Sequence, residues 1–257
     1  MEYSGEELKT IIGKKARELG VNLFRSCPVE RWAEHPIQPP EFWPRNIWPW
    51  ARQVIVLGIP LYAPMVRTTP SVVYQELYDT SNRVLDDIAY HLANFIFSEL
   101  GWRAMFFPRD CYSRIEALLK EPSAAFSHVL AGYYAGMGTI GDSHNLITRE
   151  FGPRVRMVSV LTDAPLPADD MLEENLCIHC GKCLKECPTG AFSENGGAVY
   201  DMDKESCTAY HVRLKNEGHW PCGVCISVCP VGEDLKRWRG APLVTEEGVR
   251  HCRHYGS

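Results

Sequence analysis

The chain has 257 residues, of which 45% are hydrophobic and 23% are charged, and its formal net charge is −5. These values suit one large domain or two smaller ones, and they argue against a nucleic-acid partner because phosphate-backbone binders are usually basic. The acidic N-terminus does not resemble a signal peptide, and no apolar run approaches the ~20 residues of a membrane helix. We therefore expect a cytoplasmic protein with no membrane partner.

The first elements in chain order are a helix and two strands. Residues 4–20 predict a helix, because Ser4 and Glu7 form a capping box ahead of an apolar stripe and Gly20 follows. The stretches "VNLFRSC" and "ARQVIVLGIPLY" predict strands. Between them, residues 36–50 contain five prolines and three tryptophans. Because proline removes backbone donors, this segment predicts an ordered loop packed by its aromatics, or alternatively a cofactor lid.

The middle of the chain continues the mixture of helices and strands. Residues 72–100 predict a long helix with one apolar face. After it, "RAMFFP" predicts a strand, "IEALLK" and "SHVLAGYYAG" predict helices, and "RVRMVSVLTD" predicts another strand. A mixed α/β domain is therefore expected to precede the cysteine-rich part of the chain.

The cysteines predict metal centres. Eleven cysteines in a cytoplasmic chain point to metal rather than disulfides. The stretch "NLCIHCGKCLKECPTGA" contains C-x2-C-x2-C-x3-C-P, the bacterial run for a [4Fe–4S] cluster, and "PCGVCISVCPVG" ends in the same C-x3-C-P. A pair of zinc sites is the alternative, since C-x2-C also suits tetrahedral zinc. The compact three-cysteine run and the repeated Cys-Pro favour iron and sulfur.

The two runs predict a crossed set of ligands. In two-cluster proteins the fourth cysteine of the run ligates the other cluster. Cluster I is then held by Cys177, Cys180, Cys183 and Cys229, and cluster II by Cys187, Cys207, Cys222 and Cys225. The other three cysteines, Cys27, Cys111 and Cys252, are expected to be ordinary thiols. We predict an α/β domain at 1–166, a ferredoxin-like module with two [4Fe–4S] clusters at 167–240, and a mobile tail at 241–257.

One further segment carries a family resemblance. The stretch "AGMGTIGDSHNLITREFGPRVRMVSVLTDAPLP" contains A-G-x-G-x-x-G, then N-x-x-x-T-x-E-x-G, then a strand ending L-T-D-x-P-L. Together with the cysteine runs that follow, it resembles the epoxyqueuosine reductase family and, more distantly, the corrinoid reductive dehalogenases. The resemblance is to a short form, without the C-terminal helical repeats of the larger epoxyqueuosine reductases.

The resemblance implies a fold, cofactors and partners. It implies an α+β protein in which a nitroreductase-like α/β domain holds a cobalamin beside one of two [4Fe–4S] clusters. Electrons would come from an external donor such as ferredoxin or flavodoxin, and the substrate would be a small molecule or nucleoside-like. Small residues let the backbone approach a flat macrocycle closely. The implied corrinoid-binding residues are Gly136, Gly138, Gly141 and Asn145. A dinucleotide site or a tight turn without a ligand are the alternatives for the glycines.

The sequence departs from the family at the expected proton donor. The family's Asp, about a dozen residues before the glycines, has no counterpart, and Asp142 stands where a Lys is usual. His128 and Tyr134 are the candidate catalytic residues instead, because a histidine pKa near 6.5 suits acid–base work and tyrosines act as donors in the related dehalogenases. Arg109 and Asp110 either contact the substrate or corrin or form an ordinary loop ion pair.

Three functions remain open at this point. The first is a cobalamin-dependent reductase of a small organic substrate. The second is an electron-transfer or activator protein that reduces a partner enzyme or its corrinoid. The third is a relative that binds flavin, although no feature of the sequence selects flavin.

Overall fold

The computed structural model describes residues 3–108, 114–120 and 124–254. In chain order, the first elements are α1 (Gly5–Glu18), β1 (Leu23–Pro28), α2 (Arg31–Glu34), a 3-10 turn (Pro40–Phe42), α3 (Pro44–Ile47), β2 (Gln53–Pro60), α4 (Ala63–Val66), α5 (Val72–Ser98) and β3 (Ala104–Phe107). They are followed by a 3-10 turn (Ile115–Leu119), α6 (His128–Tyr134), β4 (Thr139–Ile140), β5 (Leu146–Ile147) and β6 (Val155–Thr162).

The cysteine-rich part of the chain is built from short elements. They are α7 (Lys182–Glu186), β7 (Phe192–Ser193), β8 (Asp201–Met202), α8 (Lys204–Asn216), α9 (Val224–Ser227), a 3-10 turn (Glu233–Trp238) and α10 (Glu246–His254). No helix in the described ranges is long and apolar enough to cross a membrane.

A four-stranded antiparallel sheet in the order β1-β2-β6-β3 forms the centre of the fold. Successive side chains of a strand point to opposite faces. In β2, Ile55 and Leu57 pack with α1 and α5 on one face, whereas Val54 and Val56 pack with α6 on the other. Because both faces of β2 are covered, it is apolar along its whole length and carries no polar alternation.

Most of the predicted elements are confirmed, including the capping box of α1. Ser4 Oγ accepts from the backbone N–H of Glu7, and the Glu7 carboxylate accepts from the backbone N–H of Ser4 at 2.8 Å. The proline-rich segment is mainly irregular, as predicted, but it includes the one-turn helix α3. The predicted tail at 241–257 includes α10, which packs against α5 and whose Arg253 donates to the carbonyl of Thr69 at 2.7 Å, and its mobility stays a prediction.

The chain that leaves the sheet is tied back to it before the cysteine module begins. The backbone N–H of Asp169 donates to the carbonyl of Ser26 at 2.8 Å, and the Asp169 carboxylate accepts from the N–H of Ser26 at 2.8 Å. Lys9 of α1 lies 3.0 Å from the same carboxylate. The division at residue 166 stays a prediction, since the contacts continue across it.

Candidate electron-transfer and ligand site

The eight predicted cluster ligands lie in two groups. A small cavity is lined by Cys177, Cys180, Cys183 and Cys229. A large cavity of about 560 Å³ is lined by Cys187, Cys207 and Cys222 among other residues. Cys225 lines both cavities. This grouping is the one that the crossed ligand set requires, although ligation by each thiolate stays a prediction.

Burial keeps most of these thiols protonated until a metal binds. Burial raises the pKa of Cys225 to about 12 and that of Cys207 to about 11. Burial also raises the pKa of Cys183 to about 11, and the nearby Asp142 carboxylate adds to that effect. Burial acts in the same direction on Cys187, but hydrogen bonds from Thr189 and neighbouring backbone groups outweigh it, so the pKa of that thiol is lowered. Metal binding here must therefore release protons, and apparent affinity should fall at low pH.

A buried arginine fixes the loop that carries Cys229. The guanidinium of Arg154, at the start of β6, donates to both carboxylate oxygens of Asp234 at 2.7 and 2.8 Å. It also donates to the carbonyls of Cys229 at 3.0 Å and Val231 at 2.7 Å. The Arg154 side chain is only 2% exposed. These four hydrogen bonds from one rigid guanidinium therefore position Cys229, a predicted ligand of cluster I, against the part of the chain that forms the central sheet, called here the sheet domain.

A polar network surrounds the first two cluster I cysteines. The Asp142 carboxylate lies 3.0 Å from Nδ1 of His179, and Asn175 Nδ2 lies 3.1 Å from Nε2 of the same ring. The backbone N–H of Cys177 donates to Asn175 Oδ1, which fixes the amide so that Nδ2 faces the ring. Nε2 of His179 then accepts, and Nδ1 carries the hydrogen that is donated to Asp142.

The outer edge of cluster I is open to solvent. Cys180 is exposed, and the Ile178 side chain between the first two cysteines is 63% exposed. In contrast, Cys225 of the other group is half-buried and lies in the wall between the cavities.

The large cavity lies between the cluster II cysteines and the sheet domain. The sheet domain contributes residues of α5, α6 and β6, and the cysteine module contributes residues of α8 and of the loop before α9. The volume is within the roughly 300–1,000 Å³ of small-molecule sites. Two atoms of its lining residues, Trp220 Nε1 and Gln38 Oε1, are buried and have no hydrogen-bond partner among the described residues. Such unpaired groups indicate a ligand or water with a matching acceptor and donor.

Three cavity residues that the sequence did not single out contact one another in a row. The Arg156 guanidinium lies over the Tyr78 ring at 4.4 Å and donates to the Tyr78 hydroxyl at 3.2 Å. The Trp220 ring meets the Tyr78 ring edge-on, with centroids 4.9 Å apart. A charged residue within the apolar strand "RVRMVSVLT" was the available signal for Arg156, whereas nothing in the sequence marked Tyr78 or Trp220.

His128 lines the cavity, as a catalytic residue must, but both of its ring nitrogens are occupied. Nε2 lies 3.1 Å from the carbonyl of Pro108, which can only accept, so this nitrogen carries the hydrogen. Nδ1 then accepts from the Ser159 hydroxyl at 2.9 Å. Burial lowers the pKa of His128 to about 4, with a smaller contrary effect from the Pro108 carbonyl. A neutral imidazole held in this way is a poor acid, which argues against the predicted role.

Tyr134 and the three glycines lie away from the large cavity. Tyr134 is fully buried against Trp32, and its hydroxyl donates to the carbonyl of His35, which favours a packing role, so its catalytic role stays a prediction. A Cβ on Gly136 would lie 1.8 Å from the Asp170 carbonyl oxygen, and one on Gly138 would lie 2.3 Å from that of Ile147.

Gly141 and Asn145 are the other two predicted corrinoid-binding residues. A Cβ on Gly141 would lie 2.4 Å from Ile147 Cδ1. The close approach at all three glycines is thus to protein, which favours the tight-turn alternative, and corrinoid binding by these glycines stays a prediction. Asn145 does line the cavity, and its Nδ2 lies 3.5 Å from Cys225 Sγ. Arg109, Asp110 and Cys111 lie outside the described residues.

Comparison with known proteins supports the prediction of two [4Fe–4S] clusters. Residues 176–233 match the model of a 4Fe-4S dicluster domain, which confirms the prediction of a module with two [4Fe–4S] clusters. The chain is 36% identical to epoxyqueuosine reductase of Synechococcus sp. (strain RCC307) over 43% of this chain and 36% of that protein. It is 34% identical to tetrachloroethene reductive dehalogenase of Sulfurospirillum multivorans over 37% of this chain and 22% of that protein. The chain thus matches about a third or less of the length of these relatives.

A solved structure extends the likeness to the whole fold. A reductive dehalogenase structure, described as suggesting a mechanism for B12-dependent dehalogenation, superimposes with a TM-score of 0.66. The match covers 97% of this chain and 34% of the dehalogenase at 21% identity, so it shows a shared fold alone. The predicted resemblance to epoxyqueuosine reductases and reductive dehalogenases is confirmed, and the mixed helix-and-sheet class is confirmed with it.

We expect Arg154→Met to destabilise the junction and to release cluster I. The substitution leaves the buried Asp234 carboxylate without its partner, which typically costs about 3–5 kcal/mol. Iron per chain and the midpoint of urea unfolding report the two effects. The double variant Arg154→Met/Asp234→Leu removes the orphaned charge and should recover most of the stability. A single variant with unchanged iron and midpoint would contradict the anchoring role.

We expect the ring of His128 to remain neutral at pH 5.5. A histidine with the ordinary pKa of about 6.5 is roughly 90% protonated there, whereas one with a pKa near 4 is protonated to only a few per cent. Imidazole ¹⁵N shifts of the protein, assigned with His128→Asn, measure the charge. A ring that is mainly protonated at pH 5.5 would show that the cavity does not desolvate it.

Proposed function

We propose that this protein is an iron–sulfur reductase whose two [4Fe–4S] clusters pass single electrons to a cobalamin in the large cavity, where a small organic or nucleoside-like substrate is reduced. The observation that carries the proposal is the position of the cavity. The cysteines predicted to hold cluster II form one wall, and helices and strands of the sheet domain form the opposite wall. We further propose that the sheet domain is nitroreductase-like.

The residues of the cavity suit a corrinoid in three respects. The lining combines apolar and aromatic side chains with a few polar groups, as cofactor sites do. The indole N–H of Trp220 and the amide oxygen of Gln38 have no hydrogen-bond partner within the described part of the chain, and they match the acceptor and donor atoms of amide-bearing corrin side chains. Asn145 lines the cavity beside Cys225, with its Nδ2 3.5 Å from the Cys225 sulfur. When bound, a corrinoid supplies a metal centre that cycles through low oxidation states.

The side chains of this chain would orient the substrate and hold a proton. Tyr78 is 8% exposed, lines the cavity and receives a hydrogen bond from Arg156. We propose the Tyr78 hydroxyl as the proton source, in the role first considered for His128 and Tyr134. Arg156 then positions that hydroxyl, and the aromatic wall formed with Trp220 excludes water from the reacting centre.

Electrons would enter at the opposite end of the module. The exposed Cys180 and Ile178 place the edge of cluster I within reach of another protein, whereas cluster II is next to the cavity. We propose that an external one-electron donor such as ferredoxin or flavodoxin docks at this edge. Cluster I is then the distal cluster and cluster II the proximal one.

Electron delivery to a partner is the second candidate function. The missing family Asp and the Asp142 in place of Lys favour it, because they remove groups on which epoxyqueuosine reduction depends in the family. In that case the two clusters would serve a partner enzyme or its corrinoid, and the protein would carry out no substrate chemistry itself.

Anaerobic reconstitution with iron, sulfide and cob(II)alamin should yield about eight irons per chain and an EPR spectrum of bound, base-off cobalt. Cys207→Ser should lower the iron content to about four and reduce the rate at which the bound cobalt is reduced. Zinc in place of iron would overturn the two-cluster assignment. Full iron, no cobalamin binding and rapid reduction of a partner protein would support electron delivery instead.

We expect Tyr78→Phe to abolish most turnover while leaving the clusters intact. Phenylalanine keeps the ring under the Arg156 guanidinium but has no proton to give, and loss of a general acid typically costs about 10²–10⁴-fold in rate. Turnover is measured with candidate organohalide and epoxide substrates beside iron content and cobalamin binding. Tyr133→Phe, a tyrosine outside the cavity, is the matched control. Equal turnover of wild type and Tyr78→Phe would assign the proton source elsewhere.

A further inference from the structure

The turn between β4 and β5, residues 141–145, separates the two cysteine groups. It is closed by the N–H of Gly141, which donates to the carbonyl of Asn145 at 3.0 Å, and by that of His144, which donates to the carbonyl of Gly141 at 2.8 Å. Ser143 at its centre lines both the small and the large cavity. The side chains at the two ends of this turn therefore face different clusters.

At one end, Asp142 places a carboxylate beside cluster I. Asp142 is only 2% exposed. One of its carboxylate oxygens, Cys177 Sγ and a ring nitrogen of His179 all lie within 4.8 Å of one another. A charge in this poorly solvated position is weakly screened and acts strongly on its neighbours.

At the other end, Asn145 points a donor at cluster II. Its Nδ2 lies 3.5 Å from Cys225 Sγ, and the same amide donates to the carbonyl and hydroxyl of Ser143 at 3.0 and 3.1 Å. Because Nδ2 carries two hydrogens for these three acceptors, one hydrogen is shared between the two Ser143 oxygens and holds the amide in place. The other N–H faces the sulfur with no opposing carboxylate from the turn.

We propose that this turn sets the order of the two cluster potentials, with cluster I lower and cluster II higher. Cluster potentials depend on net charge and on hydrogen bonds to the sulfurs. The Asp142 carboxylate disfavours an added electron on cluster I, and the Asn145 amide favours one on cluster II. One electron then passes from reduced cluster I to oxidised cluster II, with no bond broken and no proton moved. The inference rests on the two-cluster assignment of the proposed function, but it does not depend on cobalamin.

The carboxylate is tested by Asp142→Asn in the reconstituted full-length protein. Redox titration at one fixed pH, followed by EPR, gives the midpoint potential of each cluster, and loss of one signal in Cys207→Ser identifies cluster II. The variant should raise the potential of cluster I so that its electron affinity increases about tenfold, or ~59 mV for one electron. Asp87→Asn removes the same charge from the exposed face of α5 and should move neither potential.

The amide is tested by Asn145→Leu, which keeps the size of the side chain and removes the donor. The variant should lower the electron affinity of cluster II about threefold and leave cluster I nearly unchanged. In the double variant Asp142→Asn/Asn145→Leu the two potentials should converge or exchange order. If Asp142→Asn loses iron, Asp142→Ser supplies a smaller neutral side chain for the same measurement.

The outcomes separate this inference from the function on which it rests. Two EPR signals with about eight irons and potentials that neither variant moves would overturn the role of the turn and leave the two-cluster assignment intact. Equal shifts of both clusters in Asp142→Asn would also overturn it, because the carboxylate would then act without selectivity. Absence of two clusters in the wild type would overturn the proposed function first.

Discussion

The buried guanidinium of Arg154 is the interaction on which the arrangement of this protein depends. Arg154 directly precedes β6 of the central sheet, yet all hydrogen bonds of its guanidinium go to Cys229, Val231 and Asp234. A charge buried to this extent is stable only when its partners are fully in place, so the cysteine module has a single position against the sheet. The large cavity exists because of that fixed position, since each half of the molecule supplies one of its walls.

The sequence determines the cysteine module more directly than it determines the cavity. Ligand spacing is a local property, and the C-x2-C-x2-C-x3-C-P run was sufficient to predict two clusters and their crossed ligands. The strands β2 and β6 were also predictable, because mainly apolar stretches of eight residues have few alternative structures. The cavity brings together residues from α5, β6 and the cysteine loops, which are far apart in the chain. No periodicity or spacing connects Tyr78 with Trp220, and their contact depends on the tertiary fold.

The glycine segment illustrates why a resemblance does not by itself assign a role to each residue. Glycines permit close approach to a ligand or to protein, and the pattern alone does not distinguish the two. In this structure the space over Gly136 is filled by the chain that leads to the first cluster cysteine. The glycines therefore bring the β4–β5 turn close to the cysteine loops. Asp142 of this turn lies beside Cys177, and Asn145 lies beside Cys225. For Tyr134, likewise, the helix was predictable, but the burial of its side chain could not be predicted from a helix of seven residues.

The exposure of Cys180 and Ile178 has a consequence for the stability of the protein in air. An edge that is accessible to a protein donor is also accessible to dioxygen, which is smaller than any carrier. Oxidative damage should therefore begin at the outer thiolates and leave the inner cluster, shielded by the wall that contains Cys225, for last. A partly oxidised preparation would keep the large cavity intact but would have lost the outer cluster that supplies it with electrons.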